Sequence, residues 1–353
     1  MYAIAKTKRG PGAEIIETDI PKIKDNEILV KVKVASICGS DVHIYEWNEW
    51  AASRIKKIPL IFGHEFAGEV VEVGKNVTNV VEGDFISAET HIVDNVCYQC
   101  RTGRKHVCLN TKIIGVDIDG AFAEYVAIPA ENAWINDKDL EPELASIQEP
   151  LGNAVHTVLP ADNIEDIAGK TVGVFGCGPI GLMSIAVVKT LGAAMVIATE
   201  KGNKTRIELA KKMGADYVFD VDETPNVVKE ILDITNGQGV DIAFEMSGAT
   251  SALKEAFQVL TPGGRLSILG LQSHNVEIDI NNWIVFKGIK IYGIVGRRMY
   301  ETWYQVKGLL KIKEFREKLK HIITHKFPMK EFDKGMQVII EKKAAKVVLE
   351  PKW

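Results

Sequence analysis

Three groups of side chains in this 353-residue sequence are of types that do chemistry together. Cys38 lies in Ile37-Cys38-Gly39-Ser40-Asp41-Val42-His43, and His64-Glu65 follows Gly63 after an apolar stretch. A soft thiolate, an imidazole and a carboxylate make a zinc set with room for water or a substrate. Taken singly, Cys38 reads as a small buried hydrophobe and His64-Glu65 as surface decoration. A second group is Cys97, Cys100 and Cys108. In a chain of this size, three of five cysteines so close together read as metal ligands before disulfides. A reducing compartment, and so a cytoplasmic protein, is expected, because Met1-Tyr2-Ala3-Ile4-Ala5-Lys6 holds no apolar signal core.

The third group is a nucleotide turn. Gly176, Gly178 and Gly181 form G-x-G-x-x-G between the apolar run Thr171 to Phe175 and a helix whose buried stripe is Ile180, Met183, Val187 and Leu191. The first glycine makes the tight turn, the second admits a pyrophosphate, and the third lets helix pack on strand. Gly178, Pro179 and Ile180 open the helix whose N-terminal N–H groups, of which Pro179 has none, receive the phosphate charge. Glu200 ends the next apolar run, where an acid can hydrogen-bond an adenosine ribose and would repel a 2′-phosphate, so NAD is expected. The basic loop Lys201 to Arg206 keeps NADP open, and a solvated acid at a strand end is the bland reading of Glu200.

These groups need elements to hold them. Residues 28 to 35 alternate, with Ile28, Val30, Val32 and Val34 on one face and Lys31 and Lys33 on the other, the period of a half-buried antiparallel strand. Short strands recur near 67 to 73, 84 to 88 and 122 to 128, so the first half reads as all β. From residue 170 the rhythm becomes strand then helix: 171 to 175 and 179 to 191, 195 to 199 and 204 to 213, 216 to 219 and 224 to 235, 240 to 245 and 250 to 259, then 264 to 269. That alternation predicts an α/β chain with a doubly wound parallel sheet, and a packed junction near 150 to 165 whose cleft is the place for chemistry. The eighteen uncharged residues between Lys170 and Lys189 approach a membrane span in length, but four glycines and a proline argue against one.

The residues Gly63-His64-Glu65, Cys38-Gly39-x-Asp41, the Cys97 to Cys108 cluster and Gly176 to Gly181 match, in order and spacing, the zinc-dependent medium-chain alcohol dehydrogenases, and the resemblance spans essentially the whole chain. It is strongest to the branch that oxidises L-threonine, through Cys38 to Trp50, Glu89-Thr90-His91-Ile92-Val93, Glu149 to Thr157, Gly293 to Arg297 and Glu301-Thr302-Trp303-Tyr304. The resemblance implies NAD-linked oxidation of L-threonine to 2-amino-3-oxobutanoate by a homotetramer. It also implies a β-rich GroES-like catalytic domain of residues 1–150 and 296–353, with a Rossmann domain of 151–295 inserted. A polyol or other secondary-alcohol dehydrogenase on the same scaffold is the alternative.

The chemistry agrees. Hydride cannot leave a secondary alcohol until its hydroxyl proton is lost, and zinc lowers the pKa of a bound water from about 16 to about 7. Cys38 and His64 are the expected ligands, with Glu65 and Glu149 both lining the site as third and fourth candidates. The resemblance suggests that Glu149 acts from behind the ligands or exchanges with water. It gives Ser40, a nicotinamide-side ribose hydroxyl and His43 the proton route and places His91 beside the substrate; Arg297, by its own charge, offers a cationic fork for the cofactor's charged groups, and a surface, loop or solvated role is the plain reading of His43, His91 and Arg297. Trp47, Trp50, Trp303 and Tyr304 read as packing. The sequence departs from the family in the second cluster, where C-x2-C-x2-C-x7-C begins with Asp94 instead of cysteine, followed by Cys97, Cys100 and Cys108. Three thiolates and a carboxylate would hold a structural zinc more weakly than four thiolates, and an empty lobe is the alternative.

Other classes are disfavoured. With 43 Lys+Arg against 47 Asp+Glu the net charge is −4, which gives no sequence-independent grip on nucleic acid or an anionic membrane. A silent, RNA-interacting relative would show eroded ligands, and no recognition-helix pattern follows Cys108 as a DNA-binding finger would need.

Overall fold

The computed structural model describes residues 1–161 and 167–353. Of the junction expected near 150 to 165, residues 162 to 165 lie outside the described residues. The chain divides into two compact units, Met1–Glu149 with Ile323–Trp353, and Pro150–Ile322.

In the first unit the alternating strand spans Glu27–Ser36 and is central. It pairs antiparallel with Glu65–Val73, with Tyr125–Pro129 and, at its end, with Lys346–Glu350. The expected outward residues Lys31 and Lys33 are exposed while Ile28, Val30, Val32 and Val34 are buried. A knot of Phe62, Phe122 and Phe332 rings, with centroids 5.3 to 5.5 Å apart, closes this core. The register sets Ser36 opposite Glu65 on one side and Val348 on the other, so three distant stretches of chain meet next to Cys38.

The first half is not all β. Helices Gly39–Glu46, Glu49–Arg54 and Pro142–Ser146 interrupt the strands. The first begins at Cys38, whose backbone N–H is accepted by the Asp41 carboxylate at 2.9 Å, a reciprocal cap. With only Asp41 and Ile44 buried on it, this helix has no apolar stripe to announce it.

The second unit holds a six-stranded parallel sheet in the order Tyr217–Asp220, Met195–Glu200, Thr171–Phe175, Val240–Glu245, Leu260–Ile268, Lys290–Gly293. This is the doubly wound arrangement with its switch point beside Thr171–Phe175. The uncharged stretch is that strand, the glycine turn and most of the helix Pro179–Thr190; among the described residues no helix is long and apolar enough to cross a membrane.

The return to the first unit comes at residue 323, later than the expected 296. The helices Glu301–Leu310 and Lys313–Lys320 intervene, and the second of them packs on Pro179–Thr190 and Lys204–Met213 of the nucleotide unit. It buries Phe315 and Leu319.

Candidate active site

Donor atoms of Cys38, His64 and Glu65 lie within 4.8 Å of one another. Cys38 stands where the central strand gives way to a helix, and Glu65 opens the neighbouring strand. The turn that delivers His64 depends on Gly63, whose φ is +88° and where a Cβ would meet the Phe122 ring at 2.3 Å. Behind His64 lies the buried carboxylate of Asp41, with Oδ1 3.6 Å from Nδ1. Both atoms are buried without a hydrogen-bond partner. At that separation the two groups face each other as an ion pair, an arrangement in which the carboxylate's charge favours a ring turned with its other nitrogen toward a metal.

The electrostatics point the same way. Burial would lower the basicity of His64, but Asp41, the Cys38 thiol group and Glu149 carry its pKa up to about 10. Burial pushes Asp41 up to about 6 in spite of His64. Gathered acids that draw a proton onto an imidazole create a demand for positive charge, which a divalent ion also meets. A thiolate, an imidazole and a buried carboxylate oxygen without a partner are a donor set that zinc accepts.

Glu65 is wholly buried. Ser36 donates its hydroxyl to Oε2, and the ammonium of Lys346 pairs with the same oxygen. Burial opposes the charge on Lys346, yet Glu65, Cys38 and Glu149 together hold its pKa above the usual lysine value. Glu149, on the helix Gln148–Val158, accepts a 3.5 Å hydrogen bond from Thr90. It is felt by His64 and Lys346 but lies outside the three-donor set.

Ser40 and His43 occupy the same face of their helix, three residues apart, half-buried and exposed respectively. His43 meets the Trp50 ring edge-on at 6.1 Å. His91 is half-buried on a short strand, held by its N–H to the Glu89 carboxylate (2.9 Å) and by its carbonyl accepting from Asn132 (3.0 Å). Trp303 is buried as expected, whereas Tyr304 is 70% exposed.

The second lobe brings together all four expected residues, Asp94, Cys97, Cys100 and Cys108, again within 4.8 Å. Cys97 and Cys108 sulfurs are 3.8 Å apart. That matches the edge of a tetrahedron with Zn–S bonds of about 2.3 Å. Asp94 is already engaged by its own loop: Oδ1 accepts from the N–H groups of Val96 (2.9 Å) and Cys97 (3.0 Å), and Oδ2 from the Asn110 amide (2.5 Å). Those donors hold its carboxyl well below the usual range, while burial pushes the Cys100 thiol up to about 12.

In the second unit a cleft of about 220 Å³ is lined by Gly176, Gly178, Glu200, Lys201, Arg206 and Ser247 among others. Gly176 has φ +107° with Ser247 2.8 Å from where a Cβ would sit, and a Cβ on Gly181 would strike the Gly176 carbonyl at 2.1 Å. Gly178 faces open space, the side from which a pyrophosphate can approach. Pro179 and Ile180 form the first turn of the helix capped by Gly178. Glu200 accepts from the Cys177 N–H at 2.8 Å and lies 3.8 Å from Arg206. Arg297 is not on this cleft. It is buried, its stem against Gly152 and its guanidinium donating to Asn153 at 3.2 Å.

The alcohol dehydrogenase GroES-like domain matches residues 24–137, and the zinc-binding dehydrogenase domain matches residues 179–311. The chain belongs to the zinc-binding dehydrogenases. It is similar to the L-threonine 3-dehydrogenase of Caldanaerobacter subterraneus subsp. tengcongensis, 54% identical over 99% of both chains. It is also similar to that of Pyrococcus horikoshii, 55% identical over 95% of this chain and 93% of the relative. Among solved structures, the 2R,3R-butanediol dehydrogenase of Bacillus subtilis superposes with a TM-score of 0.89 at 30% identity, covering 99% of both chains. Within this zinc-binding dehydrogenase, sequence reasoning missed Ser36 and Lys346. The single signal for Lys346 is a lysine opening the apolar run Val347-Val348-Leu349.

Proposed function

We propose that this dehydrogenase oxidises the 3-hydroxyl of L-threonine with NAD, giving 2-amino-3-oxobutanoate. The observation that carries the reading is 54% identity to an L-threonine 3-dehydrogenase along 99% of the chain, with the Cys38, His64 and Glu65 donors assembled in one place. Cys38, His64 and Glu65 would hold the zinc, with Glu149 close behind. When bound, zinc supplies a Lewis acid that acidifies the substrate hydroxyl. Asp41 holds the His64 ring in its metal-facing orientation. Ser40 would accept the hydroxyl proton while giving up its own, and His43, exposed one turn further on, would release a proton to solvent. His91 flanks the amino acid. The catalytic unit is Met1–Glu149 with Ile323–Trp353, and Pro150–Ile322 is the nucleotide unit.

In the nucleotide unit the turn at Gly176 to Gly181 takes the pyrophosphate and Glu200 the adenosine ribose. Arg297 acts indirectly, bracing the segment after Gly296 against Asn153. Glu200→Ala kinetics with both nucleotides test the NAD preference; an unchanged preference removes the role given to Glu200, and the nearby Arg206 is what would then favour NADP.

The lobe of Asp94, Cys97, Cys100 and Cys108 holds a structural zinc. A homotetramer fits the exposed edge strand Lys290–Gly293, with Phe286 78% and Val285 60% exposed nearby, apolar surface that a second copy would cover. A cytoplasmic location fits five cysteines that form no disulfide. NADH formation by zinc-loaded protein with L-threonine, D-threonine, sorbitol and 2,3-butanediol tests the substrate. Turnover confined to 2,3-butanediol or sorbitol would instead support a secondary-alcohol or polyol dehydrogenase, the reading that the Bacillus subtilis scaffold favours.

A further inference from the structure

Lys346 opens the last strand, Lys346–Glu350, and is only 2% exposed. A buried ammonium is costly unless it is paired and hydrogen-bonded. Its Nζ meets Oε2 of Glu65 and donates to the carbonyl of Ile37, the residue before Cys38, at 3.0 Å. The Ser36 hydroxyl donates to the same Oε2. The two oxygens of one carboxylate are therefore unequal. Oε2 is engaged by a hydroxyl and a cation, whereas Oε1 is buried with no hydrogen-bond partner, in a residue whose donor belongs with Cys38 and His64.

We infer that Lys346 is a positioning residue of the metal site: with Ser36 it occupies Oε2 of Glu65, so that the carboxylate is presented through Oε1 alone. Two consequences follow from that arrangement. A carboxylate held to one oxygen cannot spread over two coordination positions, and a position is kept for the substrate hydroxyl. In addition, ionised Cys38 and Glu65 would by themselves cancel the charge of a divalent ion. Asp41 and Glu149 add further negative charge beside them, and the Lys346 ammonium offsets part of that excess, a contribution of the sign that favours loss of a hydroxyl proton.

The inference rests on Cys38, His64 and Glu65 being the metal donors, and cobalt(II) tests it without turnover, because its visible bands weaken as coordination number rises. In cobalt-loaded Lys346→Met the bands should weaken and move to shorter wavelength relative to the unsubstituted protein, the thiolate lobe contributing equally to both. The outer partners of metal ligands are typically worth tenfold to a hundredfold in activity, so kcat should fall by about that much while the KM for L-threonine moves little. In the double variant with Glu65→Gln, the loss of Lys346 should add nothing further. A folded Lys346→Met protein, judged by its unfolding midpoint and NADH binding, with an unchanged cobalt spectrum would overturn the assignment.

Should Lys346→Met fail to fold, Ser36→Ala carries the test: a smaller shift in the same direction supports it and no shift overturns it. Absence of threonine-dependent NADH formation in the unsubstituted zinc protein would sink the functional reading while leaving the cobalt result standing. Failure of cobalt to bind at Cys38 and His64 would sink both.

Discussion

The first unit carries two clusters of metal-ligating residues built in opposite ways. Cys38, His64 and Glu65 come from separate strands and turns, His64 and Glu65 buried and Cys38 half-buried, and are backed by charges that include Asp41 and Lys346. Asp94, Cys97, Cys100 and Cys108 come from one loop, and Asp94 is held by its own neighbours. The difference teaches what each can do. A non-local cluster with buried, unpartnered oxygen and nitrogen atoms depends on the whole fold for its shape and suits a reactive metal with an open position. A local loop with pre-formed hydrogen bonds keeps its shape by itself and suits a closed, structural ion.

The sharpest way to break this contrast is Cys38→Ala. A bound metal supplies several kcal/mol of transition-state stabilisation, so loss of this ligand should reduce turnover about a thousandfold. NADH binding by the second unit, followed by fluorescence, should be retained. Next in size is Asp41→Asn, which keeps the helix cap acceptor but removes the charge behind His64. Zinc affinity in competition with a chelator should fall by about tenfold to a hundredfold, whereas zinc in the Asp94 lobe should be unaffected.

Smaller again is Asp94→Cys. Replacing a hard donor by a thiolate should make the lobe zinc slower to leave under chelator and raise the unfolding temperature by a few degrees, with turnover unchanged. A fall in the unfolding temperature would mean that the carboxylate's hydrogen bonds to Val96, Cys97 and Asn110 matter more than a fourth sulfur. The smallest effect is expected for Asn110→Ala, which removes one exposed contact to Asp94. The unfolding midpoint should change measurably in the chelator-treated protein and hardly at all in the zinc-loaded one.

The same contrast explains what could be read without coordinates. The loop ligands and the glycine turn were legible because their chemistry is local: spacing along the chain is spacing in space. The strands and helices of the nucleotide unit were legible because each carries an apolar face against the sheet. Lys346 and Ser36 were not, since only the register of Glu27–Ser36 with its two neighbours brings them to Glu65. The helix carrying Ser40 and His43 was missed because a cap from Asp41, and no apolar periodicity, defines it. The charge of Arg297 points to the cofactor, and its burial against Gly152 and Asn153 is not legible in residue type. The point of return, residue 323, is not legible because amphipathic helices announce themselves without naming the unit they pack on.

The most direct measurement is threonine-dependent NADH formation, with zinc content determined on the same samples, for the unsubstituted protein, Cys38→Ala and Asp94→Asn. The account predicts two zinc ions and turnover in the first, loss of one zinc and of turnover in the second, and preserved turnover with weakened lobe zinc in the third. Undiminished turnover in Cys38→Ala, or none with L-threonine in the zinc-loaded unsubstituted protein, would contradict it.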